Sequence, residues 1–398
     1  MWRMTTKTGR STRRPRDRKA QILAAAMECF RRSGYQATGM EDIATAVGIT
    51  AGALYRHFRS KQELLNRALL DSAEQVQAVA QSADGLDSAL AALSSFTLDH
   101  RAYASVWDRE TRNLAPEDRA EVTRRHDGIA DAIASALGAV RPELDTDDAS
   151  LLAWAAMTTI AGASYHHVEL ARPRFDELLA AMARAACDTS LPDAPASPAD
   201  ASTPPPGAGL RPASRREALI STAIPLFAAH GYQAVSMEDL GSAAGVSRPA
   251  VYTHFSGKAD LLAAALRRES EAKWSGLARD LARSADAPEA LDRLVDSYAH
   301  GSVGSKGAAG LVLVGDIAHL PEADREDLHR SQVDYVSEWV TLLTAVRPDL
   351  GTTEARVVVQ STFTMLNILP RLPLLELHAD PVARLAAIAR SVLGVTSP

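Results

Sequence analysis

Residues 39–58 read GMEDIATAVGITAGALYRHF, and residues 236–255 read SMEDLGSAAGVSRPAVYTHF. In each stretch a short segment ends at a glycine, Gly48 or Gly245, and a second short segment begins after a hydroxyl residue two positions later. Glycine tolerates the left-handed backbone of a tight turn, and Ser or Thr favours the first position of a helix. The pattern therefore predicts a helix-turn-helix, present twice in one chain.

The chain repeats itself well beyond these two stretches. Residues 18–69 align without a gap on residues 215–266, with 21 identities in 52 positions at an offset of 197. A weaker echo pairs AVRPEL at 139–144 with AVRPDL at 345–350, at an offset of 206. A repeat of this length indicates a duplicated domain rather than a stacked solenoid unit. The second half of each unit has diverged more than the first half.

A proline-rich stretch separates the two units. Residues 189–212 contain seven prolines, which disfavour helix and favour an extended linker. We define the following segments: a basic disordered arm at 1–15, a first head at 16–76 with its motif at 39–58, a first body at 77–188, a linker at 189–212, a second head at 213–273 with its motif at 236–255, and a second body at 274–398.

The charge of the chain is distributed unevenly. The 398 residues carry a net charge of −6, yet residues 1–70 hold 14 basic and 5 acidic residues, a net of +9. Such a basic segment is typical of a phosphate-binding region, although it also occurs as a solubilising tail. Two cysteines exclude a disulfide scaffold. No apolar run approaches the ~18 residues of a membrane span, so we expect a cytoplasmic protein with no membrane partner.

Apolar residues recur at helical spacing almost throughout, which predicts an all-α fold. In a helix-turn-helix the second helix enters the DNA major groove with its N-terminal residues toward the bases. We expect Ala46 and Ala243 to let the two helices cross closely. We also expect Ser236 and Asp239 to form a capping box at the start of the second motif.

These motifs resemble the TetR family of bacterial transcription regulators. The resemblance rests on the two motifs, on Phe30-x3-Gly34-Tyr35 and Phe227-x3-Gly231-Tyr232, and on a lysine three residues after each motif. It implies two tandem units, each with a three-helix DNA-binding domain and a larger helical domain for ligand binding and dimerisation. It also implies a double-stranded DNA operator as partner. The DNA-contact candidates that it implies are Thr50, Ala51, Gly52, Tyr55, Arg56, His57 and Lys61 in the first head, and Ser247, Arg248, Pro249, Tyr252, Thr253, His254 and Lys258 in the second.

The two heads differ at positions that could reach base edges. Arg56 is replaced by Thr253, and Ala51-Gly52 is replaced by Arg248-Pro249, so we expect the heads to recognise different half-sites. The basic arm precedes only the first head, which we expect to bind DNA more strongly. The resemblance also implies that the last two helices of each body form a four-helix interface, either within one chain as a pseudo-dimer or between two chains as a homodimer.

The function that follows is a sequence-specific DNA-binding regulator, a repressor released by a small-molecule effector. The alternative is a ligand-sensing or interaction protein in which only the first head binds DNA. The effector candidates are the polar and aromatic residues Trp107, Arg109, Glu110, Arg112 and Asn113. Their pattern resembles one in regulators of lipid and acyl-CoA metabolism, and this resemblance implies a lipid or acyl-CoA-like molecule. No catalytic, metal-binding or cofactor motif stands out, so we expect neither an enzyme nor a cofactor.

Overall fold

A computed structural model describes residues 15–192, 212–305, 307, 308, 310 and 317–395. Within these residues the structure is helical and contains no β-strand. The all-α prediction is therefore confirmed. The predicted arm lies outside the described residues except for its last position, and so does most of the linker.

The first head consists of three helices and the start of a fourth. They are α1 (Pro15–Ala37), α2 (Met40–Val47), α3 (Ala51–Tyr55) and α4 (Lys61–Gln81). Gly34 interrupts α1 with a φ of 76°, and Gly48 ends α2 in the left-handed conformation with a φ of 70°. Ile22, Phe30, Ile43 and Leu54 are fully buried between these helices. This apolar centre fixes the angle at which α3 leaves the turn.

The second head repeats this arrangement. Its helices are α10 (Arg215–His230), α11 (Met237–Ala244), α12 (Arg248–Tyr252) and α13 (Lys258–Ala282). Gly245 takes a φ of 70°, and the predicted capping box between Ser236 and Asp239 is present. Helix α10 continues through Pro225, for which nothing in the structure offers a reason.

One detail of the predicted heads differs from the structure. The close crossing of the motif helices lies at Gly241, where an added Cβ would stand 2.7 Å from the Val246 carbonyl oxygen. The prediction that named Ala46 was wrong, because that residue is exposed. The head boundaries at residues 76 and 273 fall inside α4 and α13, so one continuous helix joins each head to its body.

The bodies are built from longer helices. The first body contains α5 (Leu86–Asp99), α6 (Ala102–Glu110), α7 (Pro116–Val140), α8 (Thr146–Ala161) and α9 (Arg174–Cys187). The described part of the second body contains α14 (Ala287–Ser305), α15 (Glu322–Val346), α16 (Thr352–Ile368), α17 (Pro373–Glu376) and α18 (Pro381–Leu393). A single apolar core runs from the first head through both bodies.

Helices α8 and α9 of the first body pack against α16 and α18 of the second in a four-helix bundle within one chain. The bundle is tightest where Gly162 follows α8: a Cβ there would stand 2.5 Å from the Ser361 Oγ and 2.6 Å from its Cα. Ion pairs join the bodies as well, with Arg174 and Glu354 2.5 Å apart and Arg371 and Asp108 2.6 Å apart. The structure thus holds the two units together as an intramolecular pair.

Candidate nucleic-acid interface

The short helix α3 presents most of the predicted contact residues of the first head to solvent. Thr50 caps the helix, because its side-chain oxygen accepts a hydrogen bond from the Ala53 N–H at 3.2 Å. Leu54 and Phe58 face inward and are buried, while Tyr55 is 51% exposed. The exposed members of the predicted set are Thr50, Gly52, Tyr55, Arg56 and His57, whereas Ala51 is half-buried. One face of α3 therefore anchors the helix and the other is free to meet DNA.

The second head presents its counterpart helix in the same way. Val251 and Phe255 are buried beneath α12, and Tyr252 is 50% exposed. The exposed members of its predicted set are Ser247, Arg248, Pro249, Tyr252, Thr253 and His254. The Arg248 guanidinium lies 3.8 Å from the Glu238 carboxylate, with both side chains largely exposed. The first head has no exposed cation at this place, because Ala51 stands at the position of Arg248.

Lys61 and Lys258 form the same internal contact in the two heads. The Lys61 ammonium donates to the carbonyl oxygens of Tyr35 at 2.7 Å, Gln36 at 3.3 Å and Thr38 at 2.9 Å. A lysine ammonium has three N–H donors, and these three bonds match that number. The ammonium also lies 4.4 Å from the centre of the Tyr35 ring, and partial burial lowers the lysine pKa.

Lys258 makes the matching bonds to Tyr232 at 2.6 Å, Gln233 at 3.4 Å and Val235 at 2.8 Å. Each lysine thus ties the segment after the first helix of its head to the helix that leads into the body, and we call this contact the lysine clamp. The structure half-buries both lysines in this contact, whereas the resemblance named them as DNA-contact candidates. The sequence signal for this contact is that both copies carry the lysine at the same position.

Arg109 and Glu110 attach the first body to the first head. The Arg109 guanidinium donates to the carbonyl oxygens of Phe30 at 3.0 Å and Arg31 at 2.9 Å. The Glu110 carboxylate accepts a hydrogen bond from the Tyr35 backbone N–H at 3.2 Å. Both side chains are mostly buried, at 11% and 7% exposed. Helix α6 is consequently fastened to the end of α1.

Arg112 and Asn113 extend this attachment. Asn113 donates to Glu110 at 2.8 Å and accepts from the Gln36 side chain at 3.1 Å. Arg112 reaches the second head, since a Cβ added to Gly231 would stand 2.9 Å from its Cζ. These polar candidates line a cleft of about 320 Å³ between the two heads. Four of the five ligand candidates, all except Trp107, therefore contact residues of the heads and do not point into the interior of the first body.

Trp107 is the remaining ligand candidate, and it points into the first body. Its ring stacks on that of His126 at 3.8 Å between centres, and Trp154 lies 5.4 Å from the same imidazole. The small cavity beside these rings measures about 50 Å³. Burial lowers the pKa of His126 to about 3, so the imidazole is neutral at physiological pH.

Two general findings concern the described part of the chain only. None of its helices has the length and apolar character needed to cross a membrane. Among the same residues no group of three or more His, Cys, Asp or Glu side chains is arranged to hold a metal ion.

Comparison with known proteins agrees with this geometry. The family described as bacterial regulatory proteins, tetR family, matches residues 22–68 and again residues 219–265. The transcriptional repressor KstR2 of Mycobacterium tuberculosis is 30% identical over 151 residues, which cover 33% of this chain and 72% of that protein. The transcriptional activator FasR of Mycolicibacterium smegmatis is 50% identical over 56 residues, covering 14% of this chain and 26% of the relative.

Among solved structures, the ketosteroid regulator KstR2 of Mycobacterium tuberculosis aligns with a TM-score of 0.40 at 20% identity, covering 47% of this chain and 98% of that one. The sequence match to KstR2 and the doubled family match establish both the lineage and the duplication. The chain is therefore a DNA-binding transcriptional regulator and not an enzyme. It belongs to the TetR family, with two family units in tandem.

Proposed function

We propose that the chain acts as its own dimer, with both heads bound to one operator, and that it is a repressor released by a small-molecule effector. The observation that carries this proposal is the pair of equivalent, exposed helices α3 and α12 on one covalently joined framework. The alternative, in which only the first head binds DNA, has less support, because the second head keeps the same buried anchors and the same lysine clamp.

Two non-identical heads would recognise an asymmetric operator. Arg56 at the end of α3 corresponds to Thr253, whose hydroxyl is turned to the Ala250 carbonyl oxygen at 2.7 Å. Arg248 at the start of α12 corresponds to Ala51. Arginine is the side chain that most often reads guanine in the major groove. Each head therefore offers one arginine at a different place along its helix, which favours two different half-sites.

The intrachain four-helix bundle supports a pseudo-dimer over a homodimer. Dimeric regulators of this kind place two helix-turn-helix units at a fixed spacing, which a symmetric interface normally sets. Here the helices that would form such an interface are already paired with each other across Gly162 and Ser361.

Control by an effector would act through α6. This helix carries Trp107 and Asp108, which face the body, and Arg109 and Glu110, which bond to the first head. A shift of α6 would therefore move the end of α1. We propose this helix as the connection between ligand binding and the orientation of the first head.

The test uses the full chain, DNA from its own promoter region and fluorescence anisotropy at low salt. Arg56→Ala and Arg248→Ala should each weaken binding by about 1–3 kcal/mol, about 5-fold to 150-fold, and should relax specificity in different halves of the site. The control Arg124→Ala removes an exposed arginine of α7 and should leave affinity unchanged.

The outcomes separate the alternatives. If only Arg56→Ala weakens binding, the second head does not bind the operator. If the wild-type chain binds none of its promoter DNA, the regulator proposal fails. Native mass measurement of the complex should show one chain per operator, and two chains would contradict the pseudo-dimer. A reporter driven by that promoter should rise when the regulator is removed, and a fall would indicate an activator.

A further inference from the structure

An arginine of the first body lies against the second head. The guanidinium of Arg112 packs on Gly231, the residue that ends α10. A Cβ built on Gly231 would stand 2.9 Å from the Cζ of Arg112, 3.0 Å from its Nη1 and 3.1 Å from its Nε. Because three atoms of one planar group are almost equally distant from that point, the flat face of the guanidinium covers Gly231. This contact crosses from the first unit to the second.

The segment that carries Arg112 is itself held in place. It is a short 3-10 turn, Thr111–Asn113, that follows α6. The Arg119 guanidinium donates to three backbone carbonyl oxygens of this region, of which that of Arg112 is the nearest at 2.8 Å. The Asn113 side chain accepts a hydrogen bond from Gln36 of the first head at 3.1 Å. Arg112 therefore extends from a turn that is fixed to both the first body and the first head.

On the other side of the contact, Gly231 belongs to the framework of the second head. Its backbone N–H donates to the Phe227 carbonyl oxygen at 2.8 Å, which closes the last turn of α10. The carbonyl oxygen of the next residue, Tyr232, is part of the lysine clamp and accepts from Lys258 at 2.6 Å. Gly231 is thus connected to both α10 and α13. Arg112 consequently restrains the whole second head rather than a single loop.

The second unit does not repeat this contact. Its 3-10 turn Ile317–His319 matches the first turn at the offset of 206, and Ala318 stands at the position of Arg112. A methyl group is too short to reach the other head. In the described part of the chain, a Cβ built on Gly34 of the first head would meet only a carboxylate oxygen of its own unit within 4 Å, at 3.7 Å. A homodimer would form the same contact on both sides of its axis, so the contact described here is asymmetric.

The distance between the heads determines which DNA they can bind together. Two recognition helices on one duplex lie about 34–36 Å apart, or a multiple of that distance, which corresponds to turns of about 10–10.5 base pairs. Two extra base pairs between the half-sites would move one of them by about 7 Å and rotate it by about 70° around the DNA axis. A second head that is held against the first body cannot follow this change. A head that pivots on α13 can follow it.

We propose that Arg112 positions the second head relative to the first and thereby fixes the half-site spacing that the chain accepts. Arg112 is a positioning residue, because it is half-buried against protein and acts through Gly231 rather than through DNA. This deepens the proposed function and rests on it, since the spacing matters only if both heads bind one operator. Arg112 thereby has a role other than the effector contact expected from the sequence.

The position of the head is measured first, in the full chain without DNA. Thr45→Cys and Ser242→Cys place spin labels at equivalent, exposed positions of α2 and α11, while the native Cys29 and Cys187 are buried and stay unlabelled. Double electron–electron resonance gives the distribution of distances between the two labels. We expect a narrow distribution in the labelled chain, and one at least about twice as wide after Arg112→Ala, because the head then moves about its hinge on α13.

The spacing is measured next, with promoter DNA and fluorescence anisotropy. Footprinting identifies the two half-sites, and a second probe carries two extra base pairs between them. The wild-type chain should bind the altered probe at least about tenfold more weakly than the natural one. Arg112→Ala should reduce this ratio to about threefold or less, and it should change the affinity for the natural spacing by less than about threefold.

Two further variants make the measurements specific. Arg124→Ala removes an exposed arginine of α7 and is the matched control, which should leave both readouts unchanged. Arg112→Gln keeps a polar side chain that ends short of Gly231, so it should act like Arg112→Ala. It replaces the alanine variant if that variant does not fold. Circular dichroism verifies the folding of each variant.

Two results would overturn the proposal: a distance distribution in Arg112→Ala no wider than in Arg124→Ala, or an unchanged preference of Arg112→Ala for the natural spacing. The proposed function fails by a different result. A wild-type chain that binds no promoter DNA contradicts that function and, with it, the role of Arg112 in spacing, whereas the label distances still show whether Arg112 positions the head.

Discussion

The two heads share one internal framework, whereas the two bodies fill equivalent positions with different side chains. In both heads a lysine ammonium bonds to three carbonyl oxygens at matching distances. In the first body the Trp107 ring stacks on His126, and Trp154 is tilted against the same imidazole, whereas Gln332 and Gln360 stand at the positions of His126 and Trp154 in the second body. The difference teaches that duplication kept the parts that orient a recognition helix and changed the parts that could sense a ligand.

The comparison extends to the surface of the bundle. Gly162 follows α8 at its closest approach to α16, and the residue at the corresponding place in the second unit is Ile368. A homodimer would use the same residue on both sides of its axis. The two units differ at this position instead: the first has Gly162, the smallest residue, and the second has the large Ile368. This difference supports the proposed pairing of the two units within one chain.

The largest expected effect comes from breaking this pairing. Gly162→Ala places a Cβ within 2.5–2.7 Å of the Oγ, Cα and Cβ of Ser361, two of which cannot move without shifting the backbone. Overpacking of this kind should lower the free energy of unfolding by about 3 kcal/mol. Urea denaturation measures the loss, and size-exclusion chromatography should show a more expanded chain.

The matched control is Gly138→Ala, because Gly138 lies inside α7 and an added Cβ would meet nothing within 4 Å. Alanine should be neutral or stabilising there, by about 0.5–1 kcal/mol. If Gly162→Ala is as well tolerated as this control, the two bodies are not held in the close contact described.

A smaller effect tests whether the lysine clamp is equivalent in the two heads. Lys61→Met and Lys258→Met each keep an unbranched side chain but remove the donor to three carbonyl oxygens. Each should cost about 2 kcal/mol of stability, since the carbonyls lose charge-assisted hydrogen bonds. Urea unfolding of the two variants side by side gives the comparison directly.

Arg59→Met serves as the control, because Arg59 is exposed beside the clamp and its change should stay within about 0.5 kcal/mol. Losses that differ widely between Lys61→Met and Lys258→Met would show that the lysine clamp contributes different amounts of stability in the two heads. Losses no larger than that of the control would mean that the clamp contributes little.

Local features of the heads could be predicted from the sequence. The left-handed turns at Gly48 and Gly245 and the capping box of Ser236 and Asp239 are confirmed, because each depends on residues within a few positions of one another. Exposure of the recognition helices followed from the same local pattern, with Phe58 and Phe255 buried beneath them.

Contacts between distant segments could not be predicted in this way. Lys61 bonds to carbonyls more than twenty residues earlier, and Arg109 bonds to Phe30 and Arg31 from another domain. Sequence spacing carries no information about which distant carbonyl a long side chain will reach. The ion pair between Asp108 and Arg371 depends on how the two bodies meet, so it could be identified only from the assembled fold.

The smallest expected effect concerns the position at which the first body has His126 and the second body has Gln332. Burial lowers the pKa of both His126 and His166 to about 3, against an ordinary value of 6.5. Below pH 6.5 the unfolded chain takes up protons at these positions and the folded chain does not. As the pH is lowered from 6.5 to 3, the free energy of unfolding should therefore decrease by about 1.4 kcal/mol per pH unit for each histidine. Above pH 6.5 neither group should contribute a slope.

The variant His126→Gln places a glutamine in the first body at the position that Gln332 occupies in the second body. The variant should lose about 1 kcal/mol per pH unit of this slope between pH 6 and pH 5, while the contribution of His166 remains. Urea denaturation at pH 7, 6, 5.5 and 5 provides the slopes. Trp107→Phe, which alters the same stacked cluster but keeps the imidazole, should leave the slope as it is. An unchanged slope in His126→Gln would mean that this imidazole is accessible to protons in the folded chain.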